Sequence, residues 1–129
     1  MKTINVGLIG FGTVGEGVYH NLVEHSALIA RRLGAHLRIY AIADRRIGRK
    51  KSPFGSPVRL TADAARIVND PNIDIVVELI GGEKDARVII RDALRNGKHV
   101  VTANKALLAT HGKEILRLAQ DKGRCFYFE

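Results

Sequence analysis

The chain has 129 residues and is 46% hydrophobic, enough for one domain with a real core but short for an enzyme that must hold a cofactor and a second substrate. Lys and Arg number 21 against 13 Asp and Glu, giving a formal charge of +8 and a pI near 10.1, a balance that favours anionic partners such as nucleotide phosphates. A single cysteine, Cys125, excludes an internal disulfide, no apolar run reaches the ~18 residues of a membrane span, and the first residues lead into a strand pattern rather than a signal peptide, so a cytoplasmic domain with no membrane partner is expected.

Residues 4–9 predict a short apolar strand ending at glycines. Residues 13–32 carry Val14, Val18, Leu22 and Ile29 at helical spacing and predict one helix, closed by Gly34. Residues 37–43 predict a second strand. The stretch from Arg45 to Arg59 is basic, holds Pro53, Gly55 and Pro57, and predicts a loop. Thr61 stands where it can cap a short helix running to Asn69, with Ala64, Ala65 and Val68 on its inner side. After a turn at Asp70-Pro71-Asn72, residues 73–80 predict a third, almost continuously apolar strand that Gly81-Gly82 breaks. A helix from Lys84 to Asn96 stops at Gly97, and residues 98–103 predict a fourth strand. A helix from Lys105 to Lys122 stops at Gly123, and residues 125–128 predict a fifth strand.

Strands apolar on both faces and joined by helices predict an α/β fold: a doubly wound parallel sheet, Rossmann-like, with helices on both faces and strand order 3-2-1-4-5. Residues 1–129 read as one dinucleotide-binding domain. Because the chain stops directly after the fifth strand, a substrate and dimerisation domain is expected to lie outside it.

Gly10-x-Gly12-x-x-Gly15 follows the first strand and opens the first helix, the context a dinucleotide fingerprint requires. Gly10 permits the tight turn, Gly12 lets backbone approach a pyrophosphate, and Gly15 lets helix and strand pack closely. Phe11 lies in the same turn and is counted with the cofactor-binding residues. The N–H groups of Thr13 and Val14, at the positive end of the helix, are placed to meet the phosphates. A tight turn that binds nothing is the plain alternative.

Asp44 ends the second strand and can accept from the ribose 2′-hydroxyl of NAD, whereas Arg45 or Arg46 can hold the 2′-phosphate of NADP. Asp44 lies farther beyond Gly15 than the usual spacing of about 20 residues, an excess that a longer first helix absorbs. Arg45, Arg46, Arg49, Lys50 and Lys51 stand together with no acid among them. A solvated basic loop and a 2′-phosphate pocket both fit this run. A nucleic-acid patch fits less well, because no aromatic residues interleave with the charges.

In an open parallel sheet the ligand lies outside the carboxyl ends of the strands. Gly81-Gly82 keeps the third of those ends open to a nicotinamide ribose. Asn104 can cap the following helix, and Lys105 then sits at the positive helix end, where its ammonium is disfavoured. A lysine so placed can take or return a proton on a substrate hydroxyl while hydride moves to or from a nicotinamide. A surface lysine in a first turn is the alternative at this point.

The stretches VGLIGFGTVG (6–15), DIVVELIGG (74–82), HVVTANKALLA (99–109) and FYFE (126–129) closely resemble homoserine dehydrogenase, in order and over the whole chain. The third is highly specific to that family, while the first alone fits many dehydrogenases. The resemblance implies NAD(P)-dependent interconversion of L-homoserine and L-aspartate 4-semialdehyde, in the biosynthesis of threonine and methionine. It implies that Lys105 lies by the nicotinamide and the substrate hydroxyl, that Gly10 to Gly15 form the nucleotide loop, and that Ile80, Gly81, Thr102 and Asn104 lie near the nicotinamide. Many members carry a basic residue where Asp44 stands, so the choice between NADP and NAD stays open. The resemblance also implies that the acidic substrate-binding residues and a second catalytic lysine lie beyond Glu129. The chain alone is therefore expected to bind cofactor without turnover, and the longer protein to be a homodimer or higher assembly. Two alternatives stand beside this reading. One is a non-enzymatic module that senses a dinucleotide, which needs no amine beside the nicotinamide. The other is a dehydrogenase of the same fold acting on another semialdehyde or amino acid.

His20, His25, His36, His99 and His111 show no metal-ligand spacing, so no metal is expected. Cys125, Tyr40 and Phe126 to Phe128 read as packing residues. Glu78, inside an apolar strand, either faces the sheet end or pairs with a cation.

Overall fold

The computed structural model describes residues 1–47 and 58–128. Residues 48–57, which include Arg49, Lys50 and Lys51 of the basic run, and Glu129 lie outside the described residues. In chain order the elements are β1 (Lys2–Ile9), α1 (Thr13–Glu24), α2 (Ser26–Leu33), β2 (Ala35–Ala43), β3 (Arg59–Thr61), α3 (Ala64–Val68), β4 (Ile75–Glu78), α4 (Lys84–Arg95), β5 (His99–Thr102), α5 (Lys105–Lys122) and β6 (Phe126–Phe128).

Successive residues of a strand face opposite sides of a sheet, so a strand covered on both sides must be apolar throughout. Leu8 and Ile9 demonstrate this at the end of β1. Leu8 packs with Val6, Phe11, Tyr19 and Ile42 on the face that α1 covers. Ile9 packs with Ile67, Ile90, Leu94 and Leu107 on the face that α3, α4 and α5 cover. All strand pairs are parallel, in the order β3-β2-β1-β4-β5-β6. This is a Rossmann-like sheet whose order reads 3-2-1-4-5 with Arg59–Thr61 counted as the third strand, and β6 extends it; the segment expected as third, residues 73–80, lies beside β1 rather than outside β2.

The described sheet has six strands rather than five. Arg59–Thr61 pairs with β2 at Ala41, Ile42 and Ala43 and takes the outer position. Being a short edge strand with exposed side chains, it carries no apolar signal. The apolar segment of residues 75–78 accordingly takes fourth place, beside β1. The single long first helix is divided at His25, which closes α1 and opens α2. The division lets α1 bury Gly15 and Tyr19 while α2 buries Ala30. The cap of α3 is Asp63, not Thr61: its carboxylate accepts from Ala65 N at 2.9 Å, and the Thr61 hydroxyl accepts from Asp63 N at 3.1 Å.

Three residues assigned to packing are at the surface. Cys125 is exposed just before β6, and Tyr127 and Phe128 are 65% and 57% exposed, while Phe126 is buried. β6 is an edge strand, and only its first residue reaches the core. Tyr40 is half-buried against the core, with the guanidinium groups of Arg38 and Arg59 over its ring at 5.2 and 4.9 Å. The α5 boundaries agree with the spacing in the sequence. Asn104 Oδ1 accepts from Leu107 N at 3.0 Å, and Gly123 ends the helix in the left-handed region at φ 63°.

Candidate functional site

Parallel pairing puts the carboxyl ends of β1, β2, β4 and β5 on one rim. At the end of β1 the chain turns through Gly10, whose φ of 104° favours glycine and whose N–H donates to the Ala43 carbonyl at 2.8 Å. A Cβ at Gly15 would lie 2.3 Å from the Gly10 carbonyl oxygen, so this glycine serves close helix–strand packing. A Cβ at Gly12 would meet nothing within 4 Å. Its bare backbone therefore faces open space rather than the protein. Gly12 also begins α1 without a side-chain cap. The first-turn amides, exposed Thr13 and Val14 included, have no intrahelical acceptor. A pyrophosphate fits this cradle, because the helix end offers N–H donors and positive potential with no side chain in the way.

Phe11 contributes backbone rather than surface. Its ring is 2% exposed and meets Tyr19 edge-on, with centroids 6.0 Å apart. Its N–H donates to Asp44 Oδ2 at 2.7 Å, and Asp44 Oδ1 accepts from Arg46 N at 2.8 Å. Asp44 thus ties the glycine turn to the end of β2, a task that no local pattern announces. Two clefts meet beside it. One, of about 340 Å³, is lined by Gly10, Gly12, Arg46, Leu79 and Gly81. The other, of about 310 Å³, is more apolar and lined by Ile9, Ala43, Ala62, Val88 and Ile89. Asp44, Arg45, Ile80 and Asp85 border both. Arg45 Nη2 and Asp85 Oδ2 form an ion pair at 2.9 Å.

On the other side of the turn stands Glu78, the last residue of β4 and fully buried. It faces the sheet end. Its carboxylate accepts from Ile80 N at 2.8 Å, Gly81 N at 3.4 Å and the Thr102 hydroxyl at 2.7 Å. These donors offset the cost of a buried carboxylate. Thr102 Oγ1 accepts in turn from Asn104 N at 3.0 Å, and Asn104 Nδ2 donates to the Gly82 carbonyl. One hydrogen-bonded chain therefore joins the end of β4, the Gly81-Gly82 turn, the end of β5 and the start of α5. Thr102 and Asn104 are buried within it. Ile80 and Gly81 are exposed on its outer side.

Lys105 is the first residue of α5 and is exposed. Its backbone lies on the same rim as the glycine turn, with β4 between β1 and β5. Its ammonium has no hydrogen bond or ion pair among the described residues.

Two residues of consequence escaped the sequence pattern. Asp85 is one, since nothing local marks its pairing with Arg45. Lys98 is the other, on the opposite rim. It is 3% exposed and donates to the carbonyls of Asp70 at 2.5 Å and Ile73 at 2.9 Å. Burial pushes its pKa below the ordinary lysine value, with Asp70 and Asp74 pulling the other way. Among the described residues no group of three His, Cys, Asp or Glu could hold a metal ion, and no helix is long and apolar enough to cross a membrane.

Residues 10–129 match the family model described as homoserine dehydrogenase, NAD binding domain. The homoserine dehydrogenase of Methylobacillus glycogenes is 50% identical over 122 residues, which cover 95% of this chain and 30% of that protein. That of Pseudomonas aeruginosa is 46% identical over 129 residues, covering 100% of this chain and 29% of that protein. The crystal structure of a homoserine dehydrogenase from Thiobacillus denitrificans superposes with a TM-score of 0.92 at 46% identity, covering 99% of this chain and 30% of that one. The chain thus spans about 30% of the length of the relatives it matches.

Proposed function

This chain belongs to the homoserine dehydrogenase family as its NAD-binding domain, and from that premise we propose that it carries the cofactor half of an enzyme interconverting L-homoserine and L-aspartate 4-semialdehyde. The observation that carries the reading is the shared rim. An uncapped glycine turn, an open β4 end and an amine with no partner among the described residues stand at the ends of the neighbouring strands β1, β4 and β5.

Residues 1–129 act as one dinucleotide-binding domain in this reading. Gly12 and the amides of Thr13 and Val14 hold the pyrophosphate. The apolar cleft between Ile9, Ala43, Ala62 and Val88 suits the adenine, with Asp44 at its mouth. Ile80 and Gly81 border the nicotinamide end, with Thr102 and Asn104 buried behind them. When bound, NAD or NADP supplies the acceptor or donor of hydride. Lys105 takes the substrate hydroxyl proton in one direction and returns it in the other. The Glu78–Thr102–Asn104 chain fixes the backbone from which Lys105 projects.

Substrate-binding residues belong to the remainder of the longer protein, so the 129-residue chain binds cofactor and forms no NAD(P)H from homoserine. A cytoplasmic location suits a lone exposed cysteine. A homodimer or larger assembly suits the exposed Tyr127 and Phe128 on an edge strand. The decisive experiment is Lys105→Ala in the full-length protein. Loss of turnover with cofactor binding retained supports the enzyme. Undiminished turnover removes Lys105 from the chemistry, and absence of any turnover in the unsubstituted protein favours a dinucleotide-sensing module.

A further inference from the structure

Asp85 lies in the first turn of α4 and borders both clefts beside the glycine turn. Its carboxylate reaches across to the end of β2 and holds the Arg45 guanidinium at 2.9 Å. Asp44 brings a second carboxylate to the same walls, its oxygens already accepting from two backbone amides. A 2′-phosphate is a dianion whose strong recognition uses free guanidinium N–H groups. Seated against Arg45, it would have to displace Asp85 and then lie beside two carboxylates. A 2′-hydroxyl has no charge to repel and can donate to a carboxylate instead.

We propose that Asp85 is a specificity-determining residue that occupies Arg45 and thereby biases the cleft away from the 2′-phosphate of NADP(H) and toward the free 2′-hydroxyl of NAD(H). The inference rests on the cofactor reading of this cleft. The paired side chains are 85% and 60% exposed, so the pair contributes little to folding and its removal leaves the fold intact. The same exposure limits the effect to a modest factor that salt weakens.

The test titrates NADH and NADPH, followed by their own fluorescence, against this chain, against Asp85→Asn and against Asp85→Asn combined with Arg45→Gln. The ratio of NADPH to NADH affinity is expected to rise about 3- to 10-fold in the single variant and to fall back in the double variant. A ratio that Asp85→Asn leaves unchanged, with both nucleotides bound, overturns the proposal while leaving the cofactor reading standing. A gain that persists without Arg45 also overturns it. If the unsubstituted chain binds neither nucleotide, the cofactor reading falls and takes this proposal with it.

Discussion

Lys98 and Lys105 flank β5, a strand of four residues, and the sheet gives them opposite surroundings. On the amino rim, Lys98 is buried and spends two of its three donors on the carbonyls of Asp70 and Ile73. It braces the turn before β4 against the start of β5. On the carboxyl rim, Lys105 is exposed at a helix N-terminus, with no bond to any described residue. The same side chain is a buried brace at one end and an exposed, uncommitted amine at the other, the one to which the proposed function gives the proton transfer. What separates the two is the rim: backbone carbonyls consume the donors of one, and an open strand end leaves those of the other unspent.

The sharpest way to break this contrast is Lys105→Ala in the full-length protein. Turnover is expected to fall about 10²–10⁴-fold, and unfolding stability to move by less than about 0.5 kcal/mol. Steady-state kinetics and urea titration check the two halves. Lys98→Met should do the reverse, lowering stability by roughly 1–3 kcal/mol because one buried and one part-buried carbonyl lose their donor, with cofactor affinity retained. Loss of NADH binding in a folded Lys98→Met chain would show that the two rims are not separable.

Gly12→Ala extends the contrast to the backbone of the carboxyl rim. Its Cβ meets no protein atom, so stability should change by less than about 1 kcal/mol, while NADH affinity drops about tenfold or more, because the methyl group enters the space assigned to pyrophosphate. Calorimetry and fluorescence titration measure the pair. The smallest effect is a pH slope. Native Lys98 releases its proton below the ordinary value of 10.5. Between the two values the unfolded chain binds more protons, so Lys98 makes stability rise with pH across that window and adds nothing to the slope below it. Urea unfolding at neutral pH and near pH ~10 should therefore give a rise that Lys98→Met lacks.

Much of the carboxyl rim was legible in the residues alone. Gly10 and Gly15 are demanded by a turn and a close contact that any side chain would spoil, and α5 begins and ends at a capping asparagine and a left-handed glycine. β3 was not legible: an edge strand of three residues, two of them exposed, carries no period to read. Nor was the break at His25, since apolar spacing runs through it. Asp44 had a reading as a ribose acceptor, but its hold on the Phe11 and Arg46 amides depends on β2 ending beside β1. Glu78 had two open readings, and the amides of Ile80 and Gly81 together with the Thr102 hydroxyl select the one in which it faces the sheet end.

Sequence by itself determined most of the alternation of strands and helices, the glycine turn, both ends of α5 and the position of the amine after a strand, because each is set by side-chain chemistry within a turn or two of the chain. Tertiary structure alone decided that Arg45 meets Asp85 from 40 positions away and that Glu78 meets Thr102 from 24. It also decided that Lys98 is buried while Lys105 is not. Those outcomes follow from which strands lie side by side. Strand order is settled by covering both faces of the sheet at once, a global packing condition that no local stretch of residues contains.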